Sequence, residues 1–135
     1  MKKPDTPATL DPEFIAALTA MFEEQIVFNA VLGLRIVDLK PDRVTGRIVM
    51  RHELIGHFGH KRIHGGVISA CLDAMGGLAV MAATGARHLD APPMQRLARF
   101  AKLGTIDLLV DYLRPGVGER FDLEAEVLRL GSRVA

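Results

Sequence analysis

The chain has one cysteine and almost no net charge, and each shortage excludes a class of protein. A single cysteine, Cys71, cannot form an internal disulfide framework, and it fits a reducing cytoplasm. The 17 Lys and Arg residues are nearly balanced by 16 Asp and Glu residues, which leaves a formal charge of +1. Proteins that bind the phosphates of nucleic acid are normally far more basic. We therefore expect a cytoplasmic protein with no nucleic-acid partner.

The sequence also lacks a segment that looks like a signal peptide or a membrane helix. Lys2 and Lys3 are followed by a polar, proline-containing stretch instead of an apolar one. Asp73 interrupts the longest apolar stretch before it reaches the roughly 18 residues that a membrane helix needs. No internal repeat or low-complexity tract is present. We expect no membrane partner.

The length and the apolar content predict one folded domain. The 135 residues are 49% apolar, which is enough to bury a core but leaves little room for a second domain. Residues 1–10 are polar and are predicted to form a flexible tail. Asp11-Pro12-Glu13 has the features of a helix start, and apolar residues recur at helical spacing from Phe14 to Ile26. Residues 11–135 are therefore expected to form a single domain that opens with a helix ending near Gly33.

The rest of the chain alternates between strand-like and helix-like patterns. Residues 34–39 and 44–50 predict a β-hairpin, and 55–64 a loop rich in Gly and His. Residues 65–83 are apolar on nearly every side, which predicts a central core helix. A long basic connection over 85–103 is followed by two predicted strands, 105–113 and 120–130. The last three residues resemble the opening of another strand, so we expect the domain to lack its last one or two strands.

Asp73 is the first candidate for a catalytic group. It lies within the predicted central helix between Leu72 and Ala74. A carboxylate in apolar surroundings is costly to ionise, which suits a general base that works near neutral pH. A purely structural carboxylate that bonds a neighbouring loop is the competing interpretation.

The helix start at Gly65 and Gly66 is the second candidate. The amides of a first helical turn have no acceptor within the helix, and glycine allows a substrate to come close to them. The helix dipole would help such an amide to polarise a carbonyl oxygen. Asp73 lies two turns later, about 12 Å along the helix, which is too far for both groups to act on one carbonyl. We therefore predict a site shared between the subunits of a two-fold dimer.

Two blocks of the sequence resemble a known family. The segment His64-Gly65-Gly66-Val67-Ile68, with Asp73 and Gly76-Gly77 after it, is similar to the central helix of PaaI-like hotdog thioesterases. The segments Gly104-Thr105-Ile106-Asp107-Leu108 and Asp111-Tyr112-Leu113-Arg114-Pro115-Gly116 are similar to the strand that follows it. The resemblance covers about residues 32–135.

The resemblance implies an α+β hotdog fold, in which an antiparallel sheet wraps around a long central helix, here with an extra N-terminal helix. It implies hydrolysis of acyl-CoA by homodimers that often pair into tetramers, with no cofactor. Asp73 would be the base or the nucleophile, and Gly65 of the opposite subunit would supply the oxyanion amide. Thr105 would help to position the attacking water.

His57 departs from the family pattern and leaves two alternatives open. Many relatives carry Asn or Gln near this position to contact the thioester, and a histidine can donate a similar hydrogen bond. Gly56-His57-Phe58-Gly59 also resembles the His-Phe loop of hotdog acyl-thioester dehydratases or hydratases, although their acid would fall nearer Cys71 than Asp73. A non-catalytic acyl-CoA-binding module is the other alternative.

The remaining polar residues suggest substrate contacts and no metal site. His64 and Gly66 are expected at the substrate through the helix start. Guanidinium and ammonium groups can contact the phosphates of CoA, and the candidates are Arg114, Arg62 and Lys61, with a solvated surface as the simpler interpretation. The histidines of residues 52–64 have no cysteine partner, so we predict no metal. Cys71 has no evident partner base and is not expected to be a nucleophile.

Overall fold

The computed structural model describes residues 9–135, and it begins with a helical region that is interrupted once. Helix α1 (Pro12–Ala20) starts as predicted, because the Asp11 carboxylate accepts a 3.0 Å hydrogen bond from the Phe14 amide. A π-helical turn (Met21–Gln25) follows, and Ile26 leaves the helical conformation. Helix α2 (Val27–Leu32) then ends at Gly33, whose φ of 70° is the left-handed conformation that favours glycine.

Polar side chains connect the π-helical turn to its neighbours. Buried Asn29 donates its side-chain amide to the carbonyl oxygen of Phe22 at 3.0 Å. Glu23 accepts hydrogen bonds from the Ile36 amide and from the Arg35 guanidinium, both at 2.8 Å. The interruption of the helix is therefore satisfied internally and joined to the strand that follows.

Three antiparallel strands form the main sheet. Their order is β1 (Arg35–Leu39), β2 (Arg43–Val49) and β5 (Arg120–Glu126). The predicted hairpin is confirmed, and Val44, Gly46 and Ile48 face the core as the alternation indicated. A Cβ at Gly46 would lie only 2.7 Å from the Met75 sulfur, so the central helix packs closely on the middle strand.

The central helix α3 (Gly65–Ala86) is confirmed and runs three residues beyond its predicted end. Its buried face includes Cys71, Met75 and Leu78, but the opposite face is half-exposed or exposed. The expectation of a helix buried on all sides is therefore wrong for the single chain. By length and composition α3 could cross a membrane, with a mean hydropathy of 1.7 over its best window. Core helices of soluble proteins pass the same test, and α3 packs on the sheet.

Two predicted loops contain regular structure. Residues 55–64 include a short hairpin of β3 (Ile55–His57) and β4 (Arg62–Ile63), turned by Lys61 at a φ of 48°. Residues 85–103 include the end of α3, helix α4 (Pro93–Ala98) and a 3-10 turn (Arg99–Lys102). The prediction of a long irregular connection is wrong because this segment packs back on α1, with Phe100 in the core.

The predicted strand over 105–113 is also wrong. Residues 103–119 contain no helix or strand, and they form no ladder with any strand in the described range. The strand predicted over 120–130 is shorter, since β5 ends at Glu126. Of the predicted tail, residues 1–8 lie outside the described residues, and Leu10 is buried in the core.

A buried charge joins the N-terminal helix to the segment after α3. Arg96 is only 2% exposed; its guanidinium bonds Asp11 at 2.5 Å and lies 4.2 Å from the centre of the Phe14 ring. It also donates to the carbonyl of Gly85 at 3.3 Å. Arg96 lies within the predicted basic connection over residues 85–103, but it is buried and paired instead of belonging to an irregular surface loop.

This ion pair changes the acidity of Asp11. Burial of the Asp11 carboxyl by itself raises its pKa. The hydrogen bonds from Arg96 and from the Phe14 amide, together with the Arg96 charge, outweigh burial and hold the pKa below 3.8, its ordinary value. Because the pKa of Asp11 is lower in the folded state, its carboxylate contributes its full stabilisation above the pKa of the unfolded chain. This contribution is lost as the pH falls through the pKa of the folded state.

We expect Asp11→Asn to destabilise the fold at pH 7 by about 1–2 kcal/mol, since Asn still caps the helix but leaves buried Arg96 without a counter-charge. The estimate is modest because the Asp11 side chain is 37% exposed. Urea unfolding at pH 7 and pH 3 checks it, with Glu24→Gln on the surface as the matched control. The difference from wild type should shrink below pH 3.8. A difference that does not change with pH would contradict the role of the carboxylate.

Candidate active site

His64 organises the start of the central helix and leaves one amide free. Its Nδ1 accepts a 2.8 Å hydrogen bond from the Gly66 amide, so the proton of the neutral ring is on Nε2. Its carbonyl accepts from the amides of Val67 and Ile68. The Gly65 amide has no acceptor among residues 9–135. The first turn of α3 therefore presents one unbonded N–H with the helix dipole behind it.

Close packing fixes the position of this helix start. The His64 amide donates to the carbonyl of Leu54 at 2.8 Å. A Cβ at Gly56 would lie 2.6 Å from the Cα of His64, so only glycine allows β3 to pass here. The Tyr112 hydroxyl donates to the carbonyl of Gly65 at 3.0 Å. Residues that precede α3 in the sequence and residues that follow it thus both hold the backbone at Gly65 and Gly66 in place.

Asp73 contacts the residue that was predicted to act with it. The Thr105 hydroxyl donates to Asp73 Oδ1 at 2.5 Å, so the segment of residues 103–119 contacts α3 at this point. Asp73 is half-buried in the single chain, which is less than the sequence predicted. Its second carboxylate oxygen has no hydrogen-bond donor among the described residues. The pair is therefore a carboxylate oriented by a hydroxyl, with one oxygen open to a further donor.

The structure keeps Gly65 and Asp73 apart on one helix. Eight residues of α-helix separate them by about 12 Å along the axis. Their separation agrees with the sequence argument that one carbonyl cannot contact both groups of the same chain. Gly65, Gly66 and His64 form one cluster, and Asp73 and Thr105 form a second.

The other predicted site residues lie outside both clusters. His57 is exposed at the end of β3, where its ring stacks on Phe58 and tilts against His60, with centroids 5.7 and 4.8 Å apart. Within residues 9–135 the His57 side chain forms no hydrogen bond to either cluster. Lys61 and Arg114 are exposed and Arg62 is half-exposed, and none of the three forms an ion pair within residues 9–135.

Two further observations concern potential metal ligands and the single cysteine. No group of three potential metal-binding side chains occurs in the part of the chain that the structure describes. Burial raises the pKa of the Cys71 thiol to about 11, which makes its nucleophilic thiolate scarce near neutral pH.

Sequence reasoning missed three residues near the helix start. Tyr112 was quoted in a family block but received no role, although it is the only tyrosine in the chain. Phe28 and Val31 were not singled out, yet they line an apolar cavity beside His64 and Gly66. The sequence feature that could have indicated Phe28 and Val31 is the continuation of large apolar residues beyond Ile26.

Comparisons with known proteins identify the family of this chain. The family described as the thioesterase superfamily matches residues 60–135. The medium/long-chain acyl-CoA thioesterase YigI of Escherichia coli (strain K12) is 36% identical over 115 residues, which span 85% of this chain and 74% of that protein.

Solved structures give the same result. A protein from Shewanella oneidensis related to the thioesterase superfamily superposes with a TM-score of 0.81 at 37% identity, covering 92% of this chain and 83% of that one. A thioesterase family protein from Silicibacter pomeroyi gives a TM-score of 0.66 at 29% identity, covering 87% and 75%. The chain therefore belongs to the thioesterase superfamily, and its antiparallel sheet packed on α3 is the hotdog fold.

Proposed function

We propose that this chain is an acyl-CoA thioesterase in which the Gly65 amide of one subunit and Asp73 of the other act on the same thioester. The activity rests on membership of the superfamily and on similarity to relatives named as acyl-CoA thioesterases. The observation that carries the site is the free Gly65 amide at the start of a 22-residue helix. The name of the YigI relatives favours a medium- or long-chain acyl group.

The Gly65 amide is suited to bind the carbonyl oxygen of the thioester. Attack on that carbonyl places negative charge on the oxygen, and a fixed N–H at a helix start stabilises this charge more than it stabilises the neutral substrate. The His64 cap keeps the neighbouring Gly66 amide occupied. Only one of the two glycine amides is then available to the substrate.

Asp73 is suited to activate the attacking water or to attack the carbonyl itself. In the first route a carboxylate oxygen takes a proton from water while the hydroxide adds to the carbonyl carbon. Thr105 already bonds Oδ1, which orients the carboxylate and leaves the other oxygen for the water. In the second route Asp73 forms an anhydride that water hydrolyses. In both routes the C–S bond breaks and CoA leaves as a thiolate, a good leaving group that needs no metal.

A homodimer supplies the missing half of each site. Residues 103–119 have no regular secondary structure and no strand partner in the described range. They also expose several large apolar side chains, which are Ile106, Leu109, Tyr112, Leu113 and Val117. Since this segment touches α3 at both Gly65 and Asp73, a second copy packed on it would approach both clusters. Two such dimers could pair into a tetramer.

The remaining roles follow from position and charge. Arg62, Lys61 and Arg114 are available to bind the phosphates of CoA, and His57 lies on the hairpin before the helix start. We place the protein in the cytoplasm, where its one thiol stays reduced. The family blocks around His64 and Asp111 support a PaaI-like subgroup.

Asp73→Asn should lower kcat by at least about 100-fold because the amide cannot accept a proton from water or attack as a carboxylate. Thiol release from a panel of short-, medium- and long-chain acyl-CoAs measures it. The matched control is Asp111→Asn, because Asp111 is an exposed carboxylate on the segment that contains Thr105. An Asp73→Asn protein that keeps more than a few per cent of wild-type activity would remove Asp73 from the mechanism.

Gly65→Pro should lower kcat/KM by about 100-fold since proline lacks the N–H that would bind the oxyanion. Proline fits the first position of a helix, and His64 already has the ψ of 134° that residues before proline adopt. Gly65→Ala is the matched control, because it brings the same Cβ to about 3.3 Å from Tyr112 but keeps the amide. Equal losses in the two variants would indicate crowding at Tyr112 instead of a lost hydrogen bond.

A mixture of the two inactive proteins tests whether the site is shared. If Gly65 and Asp73 act across the interface, a heterodimer of Gly65→Pro and Asp73→Asn subunits has one intact site and one doubly altered site. Random mixing makes half of the dimers hetero, so about a quarter of wild-type activity should return. The assay is thiol release after co-refolding of equal amounts. No recovery, with heterodimers verified by mass spectrometry, would place both groups of one chain in the same site.

A further inference from the structure

The short helix α2 exposes most of its large apolar side chains. Val27, Phe28 and Val31 are 72%, 59% and 58% exposed, whereas Leu32 at the end of the helix is buried. The non-helical Ile26 separates α2 from the helical residues before it. Three large apolar residues exposed within one short helix are an unusual concentration on a protein surface.

Two of these side chains form the wall of a cavity of about 260 Å³. The rest of the lining comes from the end of α2, from residues 51–54 before β3 and from the start of α3. The apolar side chains that line the cavity are Phe28, Val31, Leu32, Leu54 and Val67. The lining also includes Arg51 and Glu53, whose side chains form an ion pair at 3.6 Å. Arg51 is already engaged, since its guanidinium donates to the carbonyls of Val31 and Leu32.

The cavity reaches the candidate active site. His64 and Gly66, which flank the free Gly65 amide, are part of its lining. A carbonyl oxygen bound to that amide would therefore place the atoms attached to its carbon beside an apolar space. Continuity between a polar anchor and an apolar cavity is the usual form of a site for an amphipathic small molecule.

We propose that this cavity, with Phe28 and Val31 as its outer wall, holds the acyl chain of the substrate and sets the preferred chain length. The inference rests on the proposed thioesterase function. The volume equals that of about nine water molecules at roughly 30 Å³ each, which suits a medium-length chain. The end of a longer chain would extend over the exposed surface of Val27.

Burial of hydrocarbon gives the expected size of the preference. Each methylene removed from water should raise kcat/KM by about three- to fourfold until the cavity is filled. Beyond that length the gain per methylene should fall, because the added carbons lie on an open helix face. Activity should therefore rise steeply from butanoyl-CoA to decanoyl-CoA and then level off.

Val31→Trp tests the proposal by filling the cavity with an indole. Val37→Trp is the matched control, since Val37 is 55% exposed on β1 and does not line the cavity. We expect Val31→Trp to lower kcat/KM at least tenfold for decanoyl-CoA and less than threefold for butanoyl-CoA. A ratio between the two substrates that equals the ratio in Val37→Trp would overturn the proposal. Phe28→Ser, which removes the wall without filling the space, should flatten the same preference if Val31→Trp fails to fold.

Binding to an inactive background separates this proposal from the proposed function. Calorimetry with decanoyl-CoA and butanoyl-CoA on the Asp73→Asn protein needs no turnover. If the wild type hydrolyses no acyl-CoA, the proposed function fails, but weaker decanoyl-CoA binding in Asp73→Asn/Val31→Trp than in Asp73→Asn/Val37→Trp still supports the cavity. Equal binding by the two double variants, or no binding of decanoyl-CoA at all, would reject the cavity as the acyl site.

Discussion

The first turn of α3 is the constraint on which the candidate site depends. A helix start leaves several backbone amides without acceptors, and His64 satisfies the Gly66 amide through its side chain while its carbonyl serves Val67 and Ile68. The Gly65 amide remains open. The turn is also held from outside, because Gly56 passes within contact of His64 and Tyr112 bonds the carbonyl of Gly65. A preorganised donor of this kind needs little reorganisation when charge develops on a substrate oxygen.

Local patterns predicted the parts of the fold that depend on neighbouring residues. Asp11 and Pro12 gave the start of α1, and the alternation through Val44 and Ile48 gave the central hairpin. Local sequence patterns gave wrong predictions where the conformation or burial of a residue depends on a contact with a residue far along the chain. Arg96 is buried because Asp11, 85 residues earlier, supplies its counter-charge, and no spacing rule reveals such a pair. Residues 105–113 have an extended pattern, but a strand also requires a partner, and the described chain provides none.

For the same reason, only part of the candidate site could be predicted from local sequence patterns. The Gly65 amide could be argued from helix physics alone, since a Gly-Gly helix start always has free donors. The pairing of Asp73 with Thr105 came from the family resemblance, because nothing in the spacing of residues 73 and 105 requires contact. Tyr112, Phe28 and Val31 were missed because their positions depend on how the segment after α4 and the helix α2 lie against α3.

The exposure of Asp73 connects the chemistry to assembly. Asp73 was expected to be buried, but in the single chain it is half-buried, as is much of the helix face around it. A second copy placed on the apolar residues of 106–113 would remove water from this face and strengthen the electrostatic interactions of the carboxylate. The same contact would bring the facing Gly65 amide toward it. The proposed dimer would therefore explain three features together: the apolar exposure of residues 106–113, the distance between Gly65 and Asp73, and the incomplete burial of α3.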